Sequence, residues 1–221
     1  MITASTLEFL RELKANNSRE WFEPHRPAYQ LAYGDFFDTV ARLIVSISQF
    51  DPEIAASRLD PKGCIMRIYR DIRFSSDKTP YKTGFFAYIN KGSKKSPFGG
   101  YYLHLEPGAS FAGGGVYMPD PAVLAKIRQE IDTCFPEWQA IAGNAELLAH
   151  FPEGIRASGM AKRPPKGYEI SNPAIEFIKY KGYYTQQFYG DNEVTSADFV
   201  AALTDSFRSV KPVIDFLNRA I

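Results

Sequence analysis

Apolar residues recur at helical spacing from Tyr29 onward. Tyr33, Phe36, Phe37, Val40, Leu43, Ile44 and Ile47 share one face up to Asp51-Pro52, which predicts a long amphipathic helix packed on a sheet. Ahead of it, Leu7, Leu10 and Leu13 mark a shorter helix behind a capping box of Ser5 and Glu8, ended by Asn16-Asn17. Asn17 and Glu20 suggest a second cap before Trp21-Phe22, and Pro24 and Pro27 break or restart the helix there. At the other end, Phe199, Leu203, Phe207, Val210, Val213 and Leu217 predict a C-terminal helix capped within residues 195–198 and kinked at Pro212.

Between these helices the period falls to two. Over residues 64–74, Cys64, Met66, Ile68, Ile72 and Phe74 fall on one side and Arg67, Tyr69, Asp71 and Arg73 on the other, the signature of a half-buried strand. Residues 85–89, 100–106 and 110–118 come next as short apolar runs separated by turn signals, and together they read as an antiparallel meander. Asp120-Pro121 opens another helix, with Leu124, Ile127 and Ile131 inward, to about Cys134. Residues 143–170 read as irregular, with a basic proline loop at residues 163–168. Asn172-Pro173 starts a short helix, and residues 183–189 alternate as a further strand. The expected class is α+β: a mainly antiparallel sheet with N- and C-terminal helices packed on one face, residues 1–221 forming a single domain.

Arg70 breaks the alternation. It falls among the apolar positions, where a guanidinium needs a carboxylate, several carbonyls or a polar cavity. Beyond it, Ser75, Ser76 and Asp77 read as a turn, and Pro80 keeps Thr79 extended, so Lys78, Tyr81 and Lys82 would project from a stiff loop. Arginine forks and lysine ammoniums suit carboxylate or phosphate, and Tyr69 and Tyr81 offer a hydrogen bond or a stacking face. Arg67, Tyr69, Arg70, Arg73, Lys78, Tyr81 and Lys82 are therefore the candidate ligand contacts. Against this stands a simpler reading, in which Asp71 pairs with Arg67 or Arg73 as a solvated ladder.

Charge sharpens the picture locally and weakens it globally. The chain's net charge is +1, which argues against a dedicated nucleic-acid binder. Residues 62–95 nevertheless hold nine Lys/Arg against two Asp/Glu, a surplus of seven positive charges inside an otherwise acidic chain. Such a field suits capture of a small anion. His104 and Glu106, two apart in the meander, could orient an imidazole as general acid or base, or lie at the surface as a solvated pair. With Asp71 they are the candidate proton-transfer groups. Gly113-Gly114-Gly115 predicts a bulge or a close backbone approach by a ligand. No phosphate-loop or dinucleotide context surrounds it, no metal-ligand spacing is present, and no cofactor is implied. Cys64 and Cys134 lie in apolar patterns, fitting core thiols in a reducing compartment. No run approaches the ~20 apolar residues that span a bilayer, and a cytoplasmic protein is expected.

The run Arg67-x-x-Arg70-Asp71-x-Arg73-Phe74, followed by Asp77-Lys78-x-x-Tyr81, resembles the signature of the bacterial DUF2461 family. Asn16-Asn17-Ser18-Arg19-Glu20-Trp21-Phe22 is similar to the same family's N-terminal segment. The resemblance implies a family and a boundary, essentially the whole chain. It carries no activity, cofactor or catalytic residue. Three functional classes stay open: a pocket for a small anionic or phosphorylated ligand, with or without hydrolase or transferase chemistry; a structural or interaction domain whose Arg–Asp motif is an internal salt-bridge network; and, less favoured, a nucleic-acid-binding module.

Overall fold

The computed structural model describes residues 1–221. Helices α1 (Ala4–Ala15), α2 (Arg19–Phe22), α3 (Arg26–Ser48), α4 (Pro52–Ser57) and α5 (Pro61–Cys64) come first. The expected meander is next, as β1 (Phe85–Ile89), β2 (Gly100–Leu105) and β3 (Ser110–Val116). Then come α6 (Pro121–Thr133), α7 (Phe135–Ala142), α8 (Ala145–His150), β4 (Arg156–Ala157), α9 (Ile175–Ile178), β5 (Tyr183–Tyr184), β6 (Gln187–Tyr189), α10 (Asp191–Val194) and α11 (Phe199–Arg219). The strands form one antiparallel sheet of six in the order β1-β2-β3-β5-β4, with β6 also paired to β3. The fold is α+β.

The chain forms two compact units, and β2, β3, β6 and α11 each pass through both. The first unit comprises residues 1–89, 102–112 and 188–204. Its core is aromatic: Phe36 and Tyr33 of α3 lie against Phe85 of β1, with ring centroids 5.5 and 6.3 Å away. Phe9 of α1 meets Phe22 and Tyr29. Helix α1 starts two residues earlier than its sequence cap suggests, because Thr3 takes that role: its Oγ1 accepts from the Thr6 amide and donates to Asp35 at 2.6 Å. Likewise Ser18, not Asn17, caps α2 by accepting from the Trp21 amide. Asn17 is thereby released for another task.

The second unit comprises residues 90–101, 113–187 and 205–221. Helix α11 packs on the sheet through Phe207, whose ring is 5.2 Å from that of Tyr101. Pro212 lies inside α11, which runs through it unbroken. Trp138 of α7 is fully buried against Phe216, Phe177 and Tyr183. The three glycines of β3 serve this packing. A side chain at Gly114 would press on Val210 and Ile214, and one at Gly113 or Gly115 would collide with the backbone of residues 183–186. Gly115 also has φ +130°, a conformation that favours glycine. The close backbone approach anticipated there is made by the chain itself, by β5 and the two residues after it.

Candidate functional site: the basic hairpin

Residues 64–74 do not form the expected continuous strand. Cys64 ends α5, and residues 65–70 run antiparallel to residues 80–87 as one leg of an open hairpin. Its backbone contacts are few. The Met66 amide donates to Phe86 O at 2.8 Å, Arg70 to Pro80 O at 2.9 Å, and Lys82 to Ile68 O at 2.8 Å, with bridges Ile65–Ala87 and Tyr69–Tyr81. Pro80 has no amide to donate, so a full ladder cannot continue past it. The face assignment changes accordingly. Ile65 and Ile68 are buried, while Phe74, expected inside, is 96% exposed at the hairpin tip.

Side chains hold the tip where the ladder fails. Asp77 Oδ1 accepts from both the amide and the hydroxyl of Thr79 at 2.9 Å, closing a local turn. Nη1 of Arg70 donates to Asp77 Oδ2 and to Thr79 Oγ1. Arg70 thus obtains a carboxylate, one of the three surroundings its sequence position left open. The Thr79 amide, then Arg70 and the Thr79 hydroxyl, hold the Asp77 carboxyl down to about 2. Arg73 takes Asp71 side-on, Nε at 3.0 Å and Nη2 at 2.7 Å, which lowers the Asp71 pKa. Lys78 Nζ donates to Ile72 O at 3.0 Å, and Lys82 Nζ to Arg67 O at 2.8 Å. The Arg67 guanidinium is exposed and makes no hydrogen bond, feeling Asp71 only through space. Within the hairpin, then, two carboxylates stand among five cations, and both carboxylates are taken.

Tyr81 is corrected from a projecting ligand contact to a structural residue. It is only 2% exposed, and its ring stacks on Phe22 at 4.1 Å and 15°. Its backbone is gripped by Asn17: Oδ1 accepts from the Tyr81 amide and Nδ2 donates to Tyr81 O, both at 3.0 Å. One carboxamide thus stands in for a neighbouring strand. Asn17 is the residue of this segment that cap reasoning misassigned, since only its distance in space to Tyr81 reveals the role. Tyr69, by contrast, stays 44% exposed beside Tyr81 and Phe22. His25 stacks on Trp21 at 4.0 Å, with Nδ1 2.6 Å from Trp21 O.

His104 and Glu106 do not share a sheet face with Arg67, Tyr69, Asp71 and Arg73, which lie on the hairpin outside the named strands. The link between the two groups is Lys82, whose Nζ lies 5.5 Å from the Phe86 ring centre, with Phe86 4.4 Å from His104. His104 Nε2 is 3.1 Å from Glu106 Oε2, and Glu106 Oε1 accepts from Lys14 at 3.0 Å and Thr83 at 2.9 Å. Burial pushes the His104 pKa down against the opposing pull of Glu106. For Glu106, burial pushes up, but the bonds from His104, Lys14 and Thr83 outweigh it and the net shift is downward. A neutral imidazole donating Nε2–H to Glu106 keeps an Nδ1 lone pair as acceptor. Asp71 is paired with Arg73, whereas Glu106 accepts from Lys14 and Thr83 and meets His104.

No three or more His, Cys, Asp or Glu side chains gather as a metal would need. No helix is long and apolar enough to cross a membrane. No curated protein and no solved structure matches the chain. A family model described as "Conserved hypothetical protein (DUF2461)" does match, over residues 5–216, and it takes in both the Asn17 segment and the whole of the basic hairpin that Asn17 grips. The chain belongs to the DUF2461 family.

Proposed function

We propose that the hairpin of residues 65–82 binds a small anionic or phosphorylated ligand. One observation carries the reading: Asp71 and Asp77 are already held by Arg73 and Arg70, which leaves Arg67 and Lys78 with no carboxylate. An exposed guanidinium and an ammonium with two remaining donors, on a loop fixed by side-chain bonds, suit phosphate oxygens. Arg67, Lys78, Lys82 and the Arg73 edge would take the anion, with Tyr69 at its side. Arg70 and Asp77 would hold the loop in shape.

The network reading has its own support, because Arg70, Asp77 and Thr79 do form an internal knot. It accounts for those three residues and leaves Arg67 without a role. For compartment we favour the reducing cytoplasm, since Cys64 and Cys134 are not joined in a disulfide, one being buried and one half-buried. The discriminating experiment is thermal melting against increasing phosphate, pyrophosphate and sulfate. A ligand of the native state raises Tm in a saturable way. Arg67→Ala and Lys78→Ala should abolish that rise and leave the unliganded melt nearly unchanged. Absence of any saturable rise would remove the anion-site reading and leave the network.

A further inference from the structure

A sheet face turned away from its helices ordinarily alternates toward polar residues, because it meets water. Here the face opposite the Phe85 side carries Phe86 and Tyr88 from β1, Tyr102 and His104 from β2, Phe111 from β3 and Phe188 from β6. The rings form a connected layer. Phe86 lies 4.4 Å from His104, His104 stacks on Phe111 at 4.5 Å and 22°, and Phe111 lies 5.8 Å from Phe188. None of the six is fully buried, and Phe188 is 54% exposed. The layer begins beside the basic hairpin: the Lys82 ammonium touches both Arg67 O and the Phe86 ring.

We propose that this aromatic face receives the base of a nucleotide whose phosphates lie on the hairpin cations. The proposal rests on the anion-binding reading above and adds the other half of the ligand. A nucleotide joins a flat π-face to a multiply charged tail, and the surface offers those two chemistries side by side. At its Phe86 end, beside Lys82, the layer can accept a base by stacking, which is worth roughly 5- to 150-fold in affinity per base. The Nδ1 of His104 makes no hydrogen bond in the structure and can accept one from an amino group on the base edge. A mononucleotide fits better than a polymer, because the cations are clustered on one hairpin of a chain with net charge +1.

The test compares ADP, GDP, CDP and UDP with pyrophosphate by titration calorimetry at one pH and salt concentration. At least one nucleoside diphosphate should bind roughly 5- to 150-fold more tightly than pyrophosphate. Phe86→Leu, at the ring beside Lys82, should remove most of that excess and leave most of the pyrophosphate affinity in place. Phe111→Leu should do the same, and melting curves would verify that both variants fold. Equal affinity for pyrophosphate and all four nucleotides would overturn the platform while the anion site stood. Failure of every probe, pyrophosphate included, would overturn both readings. A nucleotide preference that survives both substitutions would put the base elsewhere and overturn this assignment. Tighter binding of a single-stranded oligonucleotide, falling steeply with salt, would overturn it in favour of a polymer.

Discussion

The foot and the tip of the hairpin are built from the same residue types and behave differently. At the foot, Tyr81 is buried against Phe22, and its amide and carbonyl are both paired by Asn17. At the tip, Phe74 is almost fully exposed, and Arg73 meets only near neighbours in the chain, Asp71 and the Phe74 ring. Arg70 stands between them, with 27% of its side chain exposed and two partners within the loop. A motif dense in arginine and tyrosine is therefore two populations. One fixes the loop, and the other is left to face solvent. Whatever the hairpin does should depend on the second population, and whether it exists should depend on the first.

Substitutions at the foot should have the largest effect on stability. Tyr81→Ala removes a buried ring and should cost about 3–5 kcal/mol in denaturant unfolding, as for other buried aromatics. A loss below about 1 kcal/mol would place Tyr81 with the tip residues. Asn17→Ala leaves the Tyr81 amide and carbonyl without their partners, and a loss of roughly 1–3 kcal/mol is expected. Asn17→Asp keeps the acceptor but sets a carboxylate oxygen against Tyr81 O, so it should be no more stable than Asn17→Ala. Arg70→Met should cost about 1 kcal/mol, since its carboxylate partner is half exposed. Arg73→Met should leave the melt where it is, and a large loss there would erase the distinction between foot and tip.

Two titrations probe smaller effects. Asp77 is held at about 2 by the Thr79 amide first and by Arg70 next. Its folded pKa lies below the ordinary carboxylate value of about 4. Its stabilising contribution is therefore complete above that ordinary value and lost as the pH falls through about 2. A carboxyl-carbon NMR titration of Asp77 with a midpoint near the ordinary value would show that the knot does not form. For His104, burial lowers the pKa and Glu106 opposes that shift. Glu106→Gln should accordingly lower the His104 midpoint further, and a rise would contradict its pairing with Glu106.

Periodicity located α3, the meander and α11, because each buries one continuous apolar face and the pattern needs no distant partner. It failed at residues 64–74 for a physical reason. Alternation reports which residues could share a face, whereas a strand also needs a neighbour able to complete its ladder. Pro80 and the Asp77 turn deny that neighbour, so Phe74 leaves the core despite its place in the pattern. The short helices α4, α7 and α8 lacked enough turns to show a period. Charge was legible as a count and not as a pairing: Arg70 visibly needed polar company, but only the folded turn identifies Asp77 as the partner. The role of Asn17 on Tyr81 and the aromatic layer through Phe86, Phe111 and Phe188 join residues far apart in the chain. No local pattern encodes them.

The central claim is that the hairpin cations with no carboxylate of their own take an anion. Backbone-amide NMR of the protein titrated with pyrophosphate tests it most directly, because the chain has a second cationic surface to serve as control. That surface is a shallow groove lined by Arg11, Lys14, Ala15, Pro107, Gly108 and Asp191, where Arg11 is bound to Asp191 and Lys14 to Glu106. Saturable shifts in the amides of residues 66–82, absent in Arg67→Ala and with the groove unchanged, are the expected result. No saturable shift in the hairpin, or shifts confined to the groove, would contradict the claim.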